Sequence, residues 1–101
     1  MSTFKIVWTH KAIQQTEDIF DYISQDSFSA AEKVRDDIFN SVVHLIKFPF
    51  IGQEELLLKK FRKGHRYVVC GNYKIIYRVV DNIVFINSVF DSRQNPKKLK
   101  V

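Results

Sequence analysis

The chain has 101 residues, which is room for one domain spanning 1–101 and not for two. Apolar residues make up 46% of it, with nine Phe, four Tyr and one Trp; this excludes a disordered chain and allows a core, although a thin one that a partner can reinforce. The net charge of +5 is unevenly spread, residues 1–50 carrying −2 and residues 51–101 carrying +7, so the second half is either a solvated basic face or a surface for an anionic partner such as RNA, DNA or acidic protein.

Residues 4–8, FKIVW, are β-branched and aromatic and predict a short strand. Thr9 then supplies an N-cap oxygen. Ala12, Ile13, Thr16, Ile19, Phe20 and Ile23 repeat at helical spacing, while Gln14, Gln15, Glu17, Asp18 and Asp21 fill the other face. The result is an amphipathic helix of roughly four turns. Residues 24–29, SQDSFS, break it. Ser29 and Glu32 form an S-x-x-E capping box for a second helix. Its stripe of Ala31, Val34, Ile38, Val42 and Leu45 is widened by Phe39, Val43 and Ile46, enough to touch both the first helix and a sheet. Pro49 ends this helix and Gly52 turns the chain. The short loop between the helices favours an antiparallel hairpin.

Residues 53–64, QEELLLKKFRKG, fit either a short turn or an edge strand. HRYVVC, YKIIYRVV and IVFINSVF follow as three strands, joined by Gly71-Asn72 and Asp81-Asn82, pairs that tolerate the positive φ of tight hairpin turns. The tail DSRQNPKKLKV is polar and basic, and Pro96 makes it a poor strand, so it reads as extended. The order is β-α-α-β-β-β, an α+β fold in which an antiparallel sheet buries one face under a two-helix hairpin and leaves the other free.

The one cysteine, Cys70, excludes an internal disulfide and a cysteine-based zinc site, and fits a reducing cytoplasm. The N-terminus MSTFKIVWTHK has no apolar h-region, so no signal peptide is expected. No apolar run reaches the ~18 residues of a membrane span, and no membrane partner is expected. There is no P-loop, G-x-G-x-x-G, H-E-x-x-H or G-x-S-x-G motif. His10, His44 and His65 lack metal-ligand spacing, so neither metal nor cofactor is expected.

Charge is densest at Lys59, Lys60, Arg62, Lys63, His65 and Arg66. Lys74 and Arg78 follow on the next strand, with Arg93 after the last. A meander brings such positions together across neighbouring strands. Arginine offers a planar fork for phosphate or carboxylate, and the interleaved Tyr67, Tyr73 and Tyr77 can stack on bases. The competing readings are a core role for Tyr73 and Tyr77, with a buried hydroxyl finding a backbone partner, and a structural ion pair of Arg66 or Arg93, for instance with Asp91.

The strings WTHKAIQQTEDIFDYIS, SAAEKV, LIKFPFIG, GNYKIIYRVV and INSVFDSRQNP, in this order and spacing, resemble the RelE/ParE superfamily of toxins, also called plasmid stabilisation proteins. The resemblance covers nearly the whole chain. It implies the toxin of a type II toxin–antitoxin system, with a cognate antitoxin laying an acidic amphipathic segment across it. It also implies one of two activities. RelE-like members are mRNA endoribonucleases (mRNA interferases) acting at the ribosomal A site, whereas ParE-like members are DNA gyrase inhibitors that are not themselves enzymes. On the RelE-like reading alone, Arg62, Arg66, Tyr77 and Arg93 are the catalytic candidates, with Lys59 and Lys60 as further phosphate holders. On either reading Lys59, Lys60, Arg62, Lys63, Arg66, Lys74, Arg78, Asp91 and Arg93 are expected to bind target or antitoxin. Many relatives carry His where this chain has Asp91. An ionised Asp is a poor general acid and repels phosphate, so the departure favours the ParE-like reading. A homodimer, a heterotetramer with the antitoxin, and a non-toxic basic nucleic-acid-binding module stay open at this point.

Overall fold

A computed structural model of the chain describes residues 3–94. The elements are β1 (Lys5–Trp8), α1 (His10–Ser24), α2 (Phe28–Asn40), a 3₁₀ turn (Val43–Ile46), β2 (Gln53–Glu54), a second 3₁₀ turn (Leu56–Phe61), β3 (Arg66–Cys70), β4 (Tyr73–Val80) and β5 (Ile83–Asp91). The strands form one sheet in the order β1-β5-β4-β3-β2. The predicted meander is β3-β4-β5, antiparallel throughout. Only the edge strand β1 departs from the expected antiparallel sheet, pairing parallel to β5. Both helices lie between β1 and the meander, so β1 returns to the sheet through a crossover rather than a hairpin.

Thr9 fixes where α1 begins. Its Oγ1 accepts the N–H of Ala12 at 3.2 Å and donates to the carbonyl of Ile86 at 2.9 Å, so the helix start is tied to β5. The second helix starts two residues earlier than the S-x-x-E spacing predicts: Ser27, not Ser29, accepts the N–H of Ala30. The earlier start places Phe28 against Phe20 in an edge-to-face pair at 5.6 Å, and the Arg35 guanidinium stacks on Phe20. The helix also ends before its apolar stripe does. Ser41 Oγ donates to the carbonyl of Ile38, which competes with the helical pattern, and the chain continues through the 3₁₀ turn. Val42 and Leu45 still reach the core from there.

The core on the helix side joins Ala12, Ile38, Val42 and Leu45 to Ile75, Tyr77, Val84, Ile86 and Val89. Between Ile86 and Ser88 the register of β5 against β4 slips by one residue, leaving Asn87 as a bulge. Gln15 of α1 covers the slip, its Oε1 accepting the N–H of Val89 at 2.7 Å and the Ser88 hydroxyl at 3.1 Å. A polar residue on the predicted solvent face of α1 thus completes the ladder where β1 has ended.

The opposite face of the sheet is not free, contrary to expectation. Ile76 points away from the helices, since Ile75 and Tyr77 on either side point towards them, yet it is fully buried. Phe90, on the same face, is buried as well. Residues 55–65 meet this face at Lys74. Glu55 lies buried beside the sheet with its Oε2 2.9 Å from Lys74 Nζ, and Leu58 and His65 are buried with it. Segment 55–65 is therefore a strap tied to this face by the Glu55–Lys74 ion pair, with Leu58 buried within it. No helix among the described residues is long and apolar enough to cross a membrane.

Candidate functional site

The predicted site residues fall into three groups. The first is the strap and its exit. Lys59 and Lys60 end the 3₁₀ turn and are exposed, with Lys60 5.3 Å from the Phe61 ring centroid. Arg62 takes a left-handed conformation, φ 55°, and its N–H closes the turn onto the carbonyl of Lys59. Gly64 follows at φ 68°, so the exposed Lys63 sits between two left-handed residues.

The second group belongs to the face that the strap meets. Lys74 pairs with Glu55 and stands 4.3 Å from the Tyr67 ring centroid. Arg78 is half-buried near His65. His65 is almost wholly buried, and its Nδ1 has no hydrogen-bond partner among the described residues. Burial pushes its pKa below the usual 6.5, and the cations of Arg78 and Lys63 push the same way against Glu55.

The third group lies at the far end of β4 and β5. Arg93 makes a bidentate contact to Asp91, Nε to Oδ1 at 3.0 Å and Nη2 to Oδ2 at 2.8 Å, and its backbone N–H also donates to Oδ1. The guanidinium holds the Asp91 carboxyl below the usual carboxylate range. The two border an open cleft of about 920 Å³ between the helical hairpin and the β3–β4 turn, lined also by Tyr22, Ile23, Cys70 and Tyr73. Burial raises the Cys70 thiol pKa, so that cysteine is not set up as a nucleophile.

These groups do not make one catalytic cluster. Arg66 pairs with Tyr77, whereas Asp91 pairs with Tyr73, four positions along β4 and about 13 Å away at ~3.3 Å per residue. Arg66 is spent on structure: its Nη1 donates to the carbonyls of Gly52 at 2.9 Å and Phe50 at 3.2 Å. Tyr77 is fully buried in the core, and its hydroxyl accepts the N–H of Gly52. Its expected catalytic role is corrected accordingly, since a side chain enclosed by its own chain cannot touch bound RNA. The core reading of Tyr77 and the Arg93–Asp91 ion pair, both weighed from the sequence, are what the structure contains. The last part of the tail, residues 95–101, lies outside the described residues.

Two features were missed. The cleft forms where α1, α2 and two strand ends meet, and no local pattern reports such a meeting. Glu55 is not legible in the sequence, because an acid beside three leucines gives no sign of which neighbour neutralises it. Among the described residues no group of three or more His, Cys, Asp or Glu is placed to hold a metal ion.

A solved structure described as the chromosomal ParDE toxin–antitoxin system from P. aeruginosa is similar to this chain, with a TM-score of 0.71 and 20% identity over 86% of this chain and 94% of that one. At that identity the likeness speaks for the shared α+β fold. No curated protein matches the sequence. The family model of the ParE toxin of the type II toxin–antitoxin system parDE matches residues 6–96, nearly the whole chain, and the protein therefore belongs to the ParE toxin family.

Proposed function

We propose that the chain arrests growth by binding and poisoning DNA gyrase, without being a nuclease, and that a cognate antitoxin silences it. The observation that carries this reading is the dispersal of the residues an RNA-cleaving site would need. Tyr77 is enclosed in the core, Arg66 is committed to two loop carbonyls, and His65 is buried with a lowered pKa. Asp91 is held ionised by Arg93, which removes it as a proton donor near neutral pH. The remaining exposed cations, Lys59, Lys60, Arg62, Lys63 and Arg93, suit contact with acidic protein surfaces as well as with phosphate.

On this reading the end bearing Arg93 and the cleft faces the target. The test is induced expression without antitoxin, read in parallel for gyrase-linked DNA breaks and for ribosome-dependent mRNA cuts. Growth arrest with DNA breaks and intact mRNA is the expected outcome. Codon-specific mRNA cuts with intact DNA establish the RelE-like alternative instead, and healthy cells discredit toxicity altogether, in favour of a plain nucleic-acid-binding module. The purified chain should also trap cleaved gyrase–DNA complexes on a supercoiled plasmid. Arg93→Ala, at an exposed position, should keep the fold and lose most of that trapping.

A further inference from the structure

β1 is an edge of the sheet, and one side of its backbone faces no other strand. Strand alternation decides which groups lie there. The N–H groups of Lys5 and Thr9 point to β5, donating to the carbonyls of Asn82 at 2.9 Å and Ile86 at 3.1 Å. Phe4 donates the other way, to the carbonyl of Ile46 at 3.1 Å. Ile6 and Trp8 share the direction of Phe4, so their N–H and C=O groups line the outer edge. Among the described residues no hydrogen bond reaches them there. A row of such groups is a template for pairing with another strand.

The open edge is short and closed at both ends. Ile46 occupies it beside Phe4, and the chain leaves it for α1 after Thr9. A long extended partner would run into both, whereas β1 itself has the matching length. Laid antiparallel about a twofold axis through Val7, a second β1 sets Ile6 opposite Trp8 and Val7 opposite its own copy. Each Ile6–Trp8 pair then exchanges both its N–H···O bonds, which uses every open group on the edge. The second copy turns away into its own α1 at the position where Ile46 closes the first.

The side chains agree with this register on both faces. On the helix side Ile6 and Trp8 already pack on the core, so their pairing extends it. On the other face Val7 is 40% exposed beside the half-buried Phe85, its partner on β5. Pairing makes an apolar row of Phe85, Val7 and their copies across the axis. Charge does not oppose it, because Lys5, the charged residue of β1, falls opposite Thr9 of the copy and not opposite another lysine.

We propose that β1 is the interface of a homodimer, in which two chains join their edges antiparallel about Val7 into one continuous sheet. The Arg93 end stays clear of it, since β1 ends opposite Ile86 while β5 runs on to Asp91. The dimer therefore presents two such ends, and the inference does not depend on which target they meet.

The test is sedimentation of the full-length chain over a concentration series, joined to cross-linking at chosen positions. A species of twice 11.9 kDa is expected to form as concentration rises. Val7→Glu sets two carboxylates face to face on the axis and should weaken association by at least about tenfold, with thermal melting to check that it is folded. In a Cys70→Ser background, Val7→Cys should give a disulfide-linked dimer on mild oxidation, because opposed residues of a non-hydrogen-bonded pair bring their Cα atoms to about 4.5 Å. Lys5→Cys in the same background should not link, because the two copies of that position stand about 14 Å apart along the strands.

A chain that keeps its single mass at every concentration overturns the inference. So does a dimer that folded Val7→Glu leaves intact, or one in which position 5 links as readily as position 7. Should Val7→Glu fail to fold, the cysteine variants decide: no linkage at position 7 rejects the proposal. A monomeric chain whose folded Val7→Glu variant no longer binds the product of a neighbouring reading frame gives the edge to the antitoxin, and rejects it too.

Discussion

The hydroxyl of Tyr77, in the middle of β4, accepts the backbone N–H of Gly52 at 2.9 Å across 25 positions of sequence. This bond anchors the loop that precedes β2 to the centre of the sheet. It also explains why position 52 is glycine. A Cβ there would stand 2.5 Å from the Tyr77 hydroxyl oxygen and 2.8 Å from the carbonyl oxygen of Tyr67. The first neighbour is a side chain that can move, but the second is strand backbone.

Gly52→Ala must therefore push the loop off β3, and we expect it to cost about 1–3 kcal/mol in urea unfolding, as overpacking does. Tyr77→Phe removes the acceptor and leaves a buried N–H unpaired, for about 1–2 kcal/mol. Combining the two should not restore stability, because the Tyr67 carbonyl still blocks the added methyl. A Gly52→Ala protein with the wild-type denaturation midpoint would show that the loop is not held as described.

The two serines at the start of α2 make a paired prediction. Ser27 Oγ accepts the N–H of Ala30, whereas Ser29 is exposed in the first turn and has Ser27 as its side-chain contact at 3.3 Å. Ser27→Ala should cost about 1 kcal/mol, the usual loss for a cap, and Ser29→Ala no more than about 0.3 kcal/mol. Thermal denaturation of the two variants under one set of conditions distinguishes them. The reverse order would reinstate the cap predicted from S-x-x-E spacing.

That displaced cap illustrates which parts of the fold were legible. Element types and the order of the meander could be read because each rests on local signals: period 3.6 in the helices, β-branched runs in the strands, and turn pairs between them. The cap at Ser27 goes with an edge-to-face contact of Phe28 to Phe20 on the other helix, which no local spacing reports. Parallel pairing of β1 with β5 joins Lys5 to Ile83, positions that no short window compares. The basic residues were found individually, but their grouping was not. Alternation along β3 and β4 tells which residues share a face, yet only register and the strap decide that Lys74 meets Glu55 while Arg93 turns to Asp91. Residues 53–64 resisted assignment because a 3₁₀ strap has neither period and takes its stability from what it is tied to.

The strap itself can be tested through its anchor. Glu55 is buried, and besides pairing with Lys74 its Oε1 accepts the N–H of Leu57 at 3.1 Å. Glu55→Ala leaves that N–H and the Lys74 ammonium without the carboxylate. A fully buried pair broken in this way costs more, but Lys74 keeps some contact with water, so we expect about 1–3 kcal/mol. The local effect is the more specific one: amide hydrogen exchange should rise across residues 55–61 and stay unchanged in α1 and α2. Uniform loss of protection through the whole protein would mean that the ion pair belongs to the general fold and not to a strap.

His65 adds a dependence on pH. It is buried at the strap's exit, with Arg78 and Lys63 opposing its protonation and Glu55 alone favouring it. The unfolded chain takes up the proton at the ordinary pKa of 6.5, while the folded chain resists until lower pH. Proton uptake thus favours the unfolded state. Stability should be undiminished above about pH 7 and should decline as pH falls through 6.5, by at most about 1.4 kcal/mol per pH unit, until the folded His65 itself is protonated. Asp91 does not confuse this window. Its folded pKa lies below 3.8, so the stability it contributes is lost only in stronger acid. His65→Gln cannot take the proton and should flatten the curve between pH 7 and 5. Thermal melts of both proteins across that range decide the matter, and parallel curves would remove His65 as the cause.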